Sequence, residues 1–210
     1  MLVGMDDARV RGLFPLDLVL MPGESRALHI FEPRYRSLYA DCVLEGQPFV
    51  LVREHEGQTA AVGCEADFTR LVQRAEDGRL MVLVEGRDVV AIGEPVGGRL
   101  YRAAHVTGLV DDDETADGAL VTEVGERYRA LAARAGADRD TPHDGDAPLS
   151  YRVAGGVEMP DDVLQQLLET RSEPTRLRMV ADALERVLEH VEATQEARDR
   201  APTNGAGPHP

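Results

Sequence analysis

Six histidines, two cysteines and a large set of carboxylates are the residues of this chain that could carry chemistry, and their spacing decides little in favour of catalysis. His29, His55, His105, His143, His190 and His209 are scattered, with no pair four residues apart and none beside a cysteine or carboxylate cluster at ligand spacing. A zinc site needs such convergence, so no metal is expected. His29 sits between Leu28 and Ile30 on an apolar run and reads as a structural group. Ser25, Ser37 and Ser172 stand outside any Gly-x-Ser-x-Gly elbow. Cys42 falls on the apolar stripe of a helix, which favours packing over nucleophilic work. Asp111-Asp112-Asp113-Glu114 lacks the alternating oxygen ligands and closing Glu of a calcium loop and reads as the acidic start of a helix. Gly97-Gly98 and Gly155-Gly156 do not extend into a nucleotide-binding loop.

Composition removes further classes. All 23 basic residues are arginine. Without lysine there is no P-loop lysine, no Schiff base and no Ser–Lys dyad. A net charge of −15 opposes binding to nucleic acid or to an anionic membrane. Any basic face would have to be assembled from Arg70, Arg74, Arg79, Arg99 and Arg102. Two cysteines without CxxC spacing suit a reducing compartment, residues 1–12 contain no apolar segment of a signal peptide, and Leu13–Met21 is too short to span a bilayer. The expected location is cytoplasmic.

The elements that would position these residues fall into zones. Residues 1–11 are polar and expected to be loose. Residues 12–110 carry short apolar runs separated by turn signals, which predicts six or more strands in a strongly bent antiparallel sheet or partly open barrel. Strands are predicted over 16–21, 26–31, 49–53, 60–67, 69–74, 80–85, 87–92 and 100–109. Glu32-Pro33 marks a helix start, and Tyr35, Leu38, Tyr39 and Cys42 form its apolar stripe up to Gly46. Residues 111–199 read as helical with a polar break at about 136–148. Helices are predicted from Pro160 and from Glu173-Pro174, the latter with the stripe Leu177, Val180, Ala181, Leu184, Val187, Leu188 and Val191. Residues 200–210 are expected to be a disordered tail.

One stretch of text is more specific. Leu13-Phe14-Pro15-Leu16-Asp17-Leu18-Val19-Leu20-Met21-Pro22-Gly23, followed by Leu28-His29-Ile30-Phe31-Glu32-Pro33-Arg34-Tyr35, resembles the opening of the Lon protease N-terminal, substrate-binding domain. Ala61-Val62-Gly63-Cys64-Glu65, Gly78-Arg79-Leu80 and Val84-Glu85-Gly86-Arg87 are similar to that family's second block, and Leu167-Leu168-Glu169 with Arg176-Leu177 resembles its end. The resemblance spans roughly residues 12–190 and implies an α+β fold, a PUA-like pseudo-β-barrel followed by a C-terminal helical bundle. It also implies a free-standing member lacking the ATPase and protease domains, with no catalytic residues and no cofactor. The expected partners are unfolded or hydrophobic peptide segments, with a protease or client protein behind them. Candidate peptide contacts are Phe14, Leu16, Met21, Phe31, Arg34 and Tyr35. Pro22, Gly23, His29, Glu32, Pro33, Gly63, Glu85 and Gly86 are assigned to the architecture, with Phe31 packing back on the first helical turn as a staple and the Pro22-Gly23 turn laying the second strand beside the first. The alternative is a small-molecule sensor using the groove between the two halves, where Arg34, His29, Glu32 and Glu85 would converge.

Overall fold

The computed structural model describes residues 9–134 and 147–200. Its elements in order are β1 (Arg9–Leu16), β2 (Ser25–Ile30), α1 (Pro33–Glu45), β3 (Phe49–His55), β4 (Gln58–Thr59), β5 (Val62–Arg74), β6 (Leu80–Val96), β7 (Ala103–Gly108), α2 (Gly118–Arg134), α3 (Leu149–Ala154), α4 (Asp161–Glu169) and α5 (Glu173–Arg200). The sheet-rich first half and helical second half are those expected.

The sheet closes on itself. β1 pairs antiparallel with β7 (Arg9↔Val106) and parallel with β3 (Leu13↔Val50), while β3–β5, β5–β6 and β6–β7 pairings complete a five-membered ring. Closure removes the open edges that a flat sheet of these strands would present. The first half of β3 is buried on both faces, which explains why it opens with the continuous apolar run Phe49-Val50-Leu51-Val52. Alternation divides such strands between two cores. Leu13, Val50, Val52, Val90, Ala104 and Val106 fill the ring. Phe14, Phe49, Leu51 and Val89 point outward into a larger cluster with α1, α2, α4 and α5. The helices are therefore not a separate bundle with its own core; Leu167, Leu177 and Leu184 belong to the same apolar cluster as Leu28 and Val84.

Several expectations shift. β1 begins at Arg9, inside the segment expected to be loose, because Arg9 and Arg11 both bind the buried Glu65 carboxylate (3.0 Å from Arg9 Nη2, 2.7 Å from Arg11 Nε). The Pro22-Gly23 turn does not lay β2 beside β1: β2 pairs with β6, Ser25↔Glu85 through Ile30↔Leu80. The runs split at Phe68 and Gly86 are single strands, β5 and β6, whose mutual register slips at Cys64/Ala66, Phe68/Arg70 and Leu71/Gln73. Bulges bend a strand without ending it. The acidic run at 111–114 starts no helix; α2 begins at Gly118. Most of the loop expected at 136–148 and the tail beyond residue 200 lie outside the described residues. The stripe of α1 is as predicted, with Tyr35, Leu38 and Cys42 buried and Tyr39 packed against them.

Candidate functional site

β6 is 17 residues long, and its two halves have different neighbours. The second half lies between β5 and β7 within the ring, while the first half lies between β5 and β2. β2 thus stands outside the ring, and among the described residues no strand pairs with its other edge. Leu28 and Ile30 point inward and are buried, whereas Ala27 and His29 point outward. An edge of this kind presents backbone N–H and C=O groups able to accept a further strand.

Phe31 follows directly and is 63% exposed. The chain has four phenylalanines. The other three form a stacked interior set, with Phe14 on Tyr35 at 4.2 Å between centroids, Phe49 on Phe68 at 4.3 Å, and Phe14 against Phe49 at 6.0 Å. Phe31 is left out, so it is not the helix staple expected of it. It borders a depression of about 250 Å³ walled by Ile30, Leu80, Met81 and Ala75, with His29, Gln73 and Arg79 at the rim.

The remaining predicted contacts divide sharply. Phe14, Met21 and Tyr35 are core residues with 2%, 0% and 6% exposure and offer a peptide no surface. Leu16 is half-buried against the same core. Arg34 is exposed, bound to Glu32 at 2.7 Å, with its guanidinium 4.6 Å above the Tyr35 ring. Glu32 occupies the N-cap of α1 without a side-chain cap bond, and Pro33 takes the first helical turn as predicted. Arg34, His29, Glu32 and Glu85 do not converge: His29 borders the depression, while Glu85 lines a different cavity.

That second cavity, about 760 Å³, lies between the β2–β6 pair and the helices. The Pro22-Gly23 turn forms one wall and is latched to Gly86: the Gly23 amide donates to the Gly86 carbonyl (2.9 Å) and the Gly86 amide to the Glu24 carbonyl (2.9 Å). A Cβ on Gly86 would stand 2.2 Å from the Met21 carbonyl oxygen, so only glycine permits this approach. Gly63 is packed equally tightly, 2.7 Å from the Leu51 oxygen by the same construction. Tyr128, Tyr151 and Arg152 supply the opposite wall. Burial raises the Tyr151 phenol above its ordinary value.

Other candidates resolve into structure. Burial, then Asp41 and Glu45, pushes the Cys42 thiol up to about 12, and burial raises Cys64 as well; neither is a thiolate at neutral pH. Arg99 is engaged by Asp41 at 3.2 Å, Arg102 by Glu54, and Arg79 by Asp77 at 2.7 Å, so the arginines weighed for nucleic acid are largely neutralised. Among the described residues no group of three His, Cys, Asp or Glu is placed to hold a metal, and no helix is long and apolar enough to cross a membrane. Ser150, absent from the serines weighed above, is buried and donates to Glu173 at 2.5 Å. Its partners lie far along the chain, so no local spacing announced it.

Comparison with known proteins fits this geometry. The family model of the ATP-dependent protease La (LON) substrate-binding domain matches residues 11–186. A search of the curated proteins returns no match. Among solved structures, a Lon N-terminal domain protein from Xanthomonas campestris is 23% identical, with a TM-score of 0.66 over 82% of this chain and 96% of its own. The N-terminal domain of the Mycobacterium avium complex Lon protease is 18% identical, with a TM-score of 0.68 over 84% of this chain and 98% of its own. Those identities speak for the fold, while the family model speaks for descent: the chain belongs to the Lon substrate-binding domain family.

Proposed function

We propose that this chain is a non-catalytic recognition module that holds extended, apolar segments of protein substrates against the outer edge of β2, with Phe31 as anchor, and serves as an adaptor or regulator of proteolysis in the cytoplasm. The observation that carries the reading is the exposure of Phe31 at the end of an edge strand. An aromatic-poor chain, 4% Phe, Tyr and Trp, leaves its one exposed phenylalanine beside an apolar depression and a row of unpaired backbone groups. Strand addition draws affinity from main-chain hydrogen bonds and specificity from a pocket for alternate side chains. Membership of a substrate-binding family supplies the class of partner.

The test is fluorescence anisotropy with a labelled, permanently unfolded protein such as reduced, carboxymethylated lactalbumin. Wild type binds; Phe31→Ala weakens binding at least five-fold with an unchanged melting temperature. Equal binding by the variant removes the β2 edge as the site, and no binding by wild type removes the recognition reading.

A further inference from the structure

The cavity between the β2–β6 pair and the helices holds a charge that the fold does not neutralise. Three arginines line it. Arg87 binds Asp67 at 2.9 Å and Arg171 reaches Asp111 at 3.5 Å. Arg152, on α3, has no ion-pair partner among the described residues, and its Nε and Nη1 atoms are buried without a hydrogen-bond partner. Its Cγ lies 3.8 Å from the position of a Cβ on Gly23, so the stem runs along the Pro22-Gly23 turn, and the side chain borders this cavity and a neighbouring one lined by Glu173 and Leu177. Tyr128, 5% exposed, lines the same cavity, and its hydroxyl has no partner among the described residues.

We propose that this cavity is a binding site for a ligand α-carboxylate, with Arg152 as the anchoring cation. A guanidinium selects carboxylates and phosphates by its fork of donors. The other lining charges choose between them. Glu24, Glu85, Asp88 and Asp111 border the cavity and repel a dianion. Glu24 is held by Arg26 at 2.6 Å and Asp111 by Arg176 at 2.5 Å. Glu85 and Asp88 have no ion pair among the described residues, so they favour a ligand that brings a cationic group with its carboxylate. The chemistry is that of a basic amino-acid residue with a free carboxylate, either at a peptide C-terminus or as the free amino acid. The site shares no lining residue with the depression at Phe31, so it does not depend on the strand-addition reading.

Isothermal titration of the full chain decides the matter with four probes: the tripeptide Ala-Ala-Arg, its C-terminal amide, free arginine and inorganic phosphate. The expected result is binding of at least one carboxylate probe, with the amide and phosphate at least ten-fold weaker. Stronger binding of the tripeptide identifies a peptide terminus, and stronger binding of arginine a free amino acid. Arg152→Gln abolishes the preference for acid over amide while circular dichroism stays unchanged. Should R152Q fail to fold, Arg152→Lys keeps the charge without the fork and retains a weakened preference. Phe31→Ala leaves all four titrations unaltered. Equal affinity for acid and amide, no binding of either carboxylate probe at about 5 mM, or an R152Q or R152K chain that binds like wild type overturns the proposal.

Discussion

Asp111, three residues beyond the end of the last barrel strand, accepts two parallel hydrogen bonds from Arg176 on α5, 2.8 Å from Nη1 and 2.5 Å from Nη2. Arg176 is fully buried, stacks 4.2 Å over the Tyr151 ring, and also donates to Ser150 and Glu173. The pair ties the exit of the barrel to the longest helix across 65 positions of sequence. Replacing Arg176 with Met leaves Asp111 only the longer Arg171 contact and Glu173 only Ser150, a loss of about 3–5 kcal/mol in urea unfolding. Asp111→Asn costs less, about 1–3 kcal/mol, because Glu173, Ser150 and the Thr170 carbonyl still hold the guanidinium.

Phe31 and Tyr35, four residues apart, differ in what they touch. Tyr35→Ala removes a ring stacked on Phe14 and costs about 3–5 kcal/mol. Phe31→Ala leaves stability within about 0.5 kcal/mol. Thermal melts of the two single variants separate them. A double variant loses binding through unfolding and reports nothing on recognition.

Gly86, within β6, and Gly97, just after its end, offer a second contrast. Gly86→Ala drives a methyl into the Met21 carbonyl and costs about 1–3 kcal/mol or more. Gly97→Ala meets nothing within 4 Å and is neutral or mildly stabilising. Chemical denaturation of both variants checks the order, and equal effects would contradict the latch between β6 and the Pro22-Gly23 turn.

His55 and Asp17 form an exposed pair at 2.9 Å. The bond from His55 holds the Asp17 carboxyl below its ordinary value, and Asp17 raises the imidazole. The raised histidine contributes stability that is complete below its unfolded pKa, about 6.5, and lost as pH rises through the higher folded value. The lowered carboxyl contributes above its unfolded value and is lost as pH falls through the lower folded one. The pair therefore acts only in mildly acidic solution between these limits. NMR titration of the His55 ring shows a midpoint above about 6.5 that returns to the ordinary value in Asp17→Asn.

Legibility followed the range of the interactions involved. The stripes of α1 and α5 could be read because a helix face repeats every three or four residues, and the run at 49–52 because a strand buried on both faces lacks alternation. α3 was missed: its six residues are too few to show a period. Asp111 looked like a helix start because its true partner is 65 residues away. The candidate contacts were chosen for being apolar, and apolarity could not tell Phe14, Met21 and Tyr35 in the core from Phe31 on the surface. Arg152 carried no signal at all, since an unneutralised arginine is defined by neighbours from other elements.

The ring of strands has a consequence for how the molecule is made. β1 is synthesised before the other described strands and carries Val10, Leu13 and Phe14, yet one of its neighbours, β7, is paired through Val106. At translation rates of about 5–20 residues per second, β1 waits roughly 5–20 s before that partner has even been synthesised. Through that interval it is an apolar strand with an open edge, the form of chain most prone to pair with the wrong neighbour. Barrel closure is thus a late, non-local event in biogenesis, and holdase chaperones that shield nascent strands would find their target in β1.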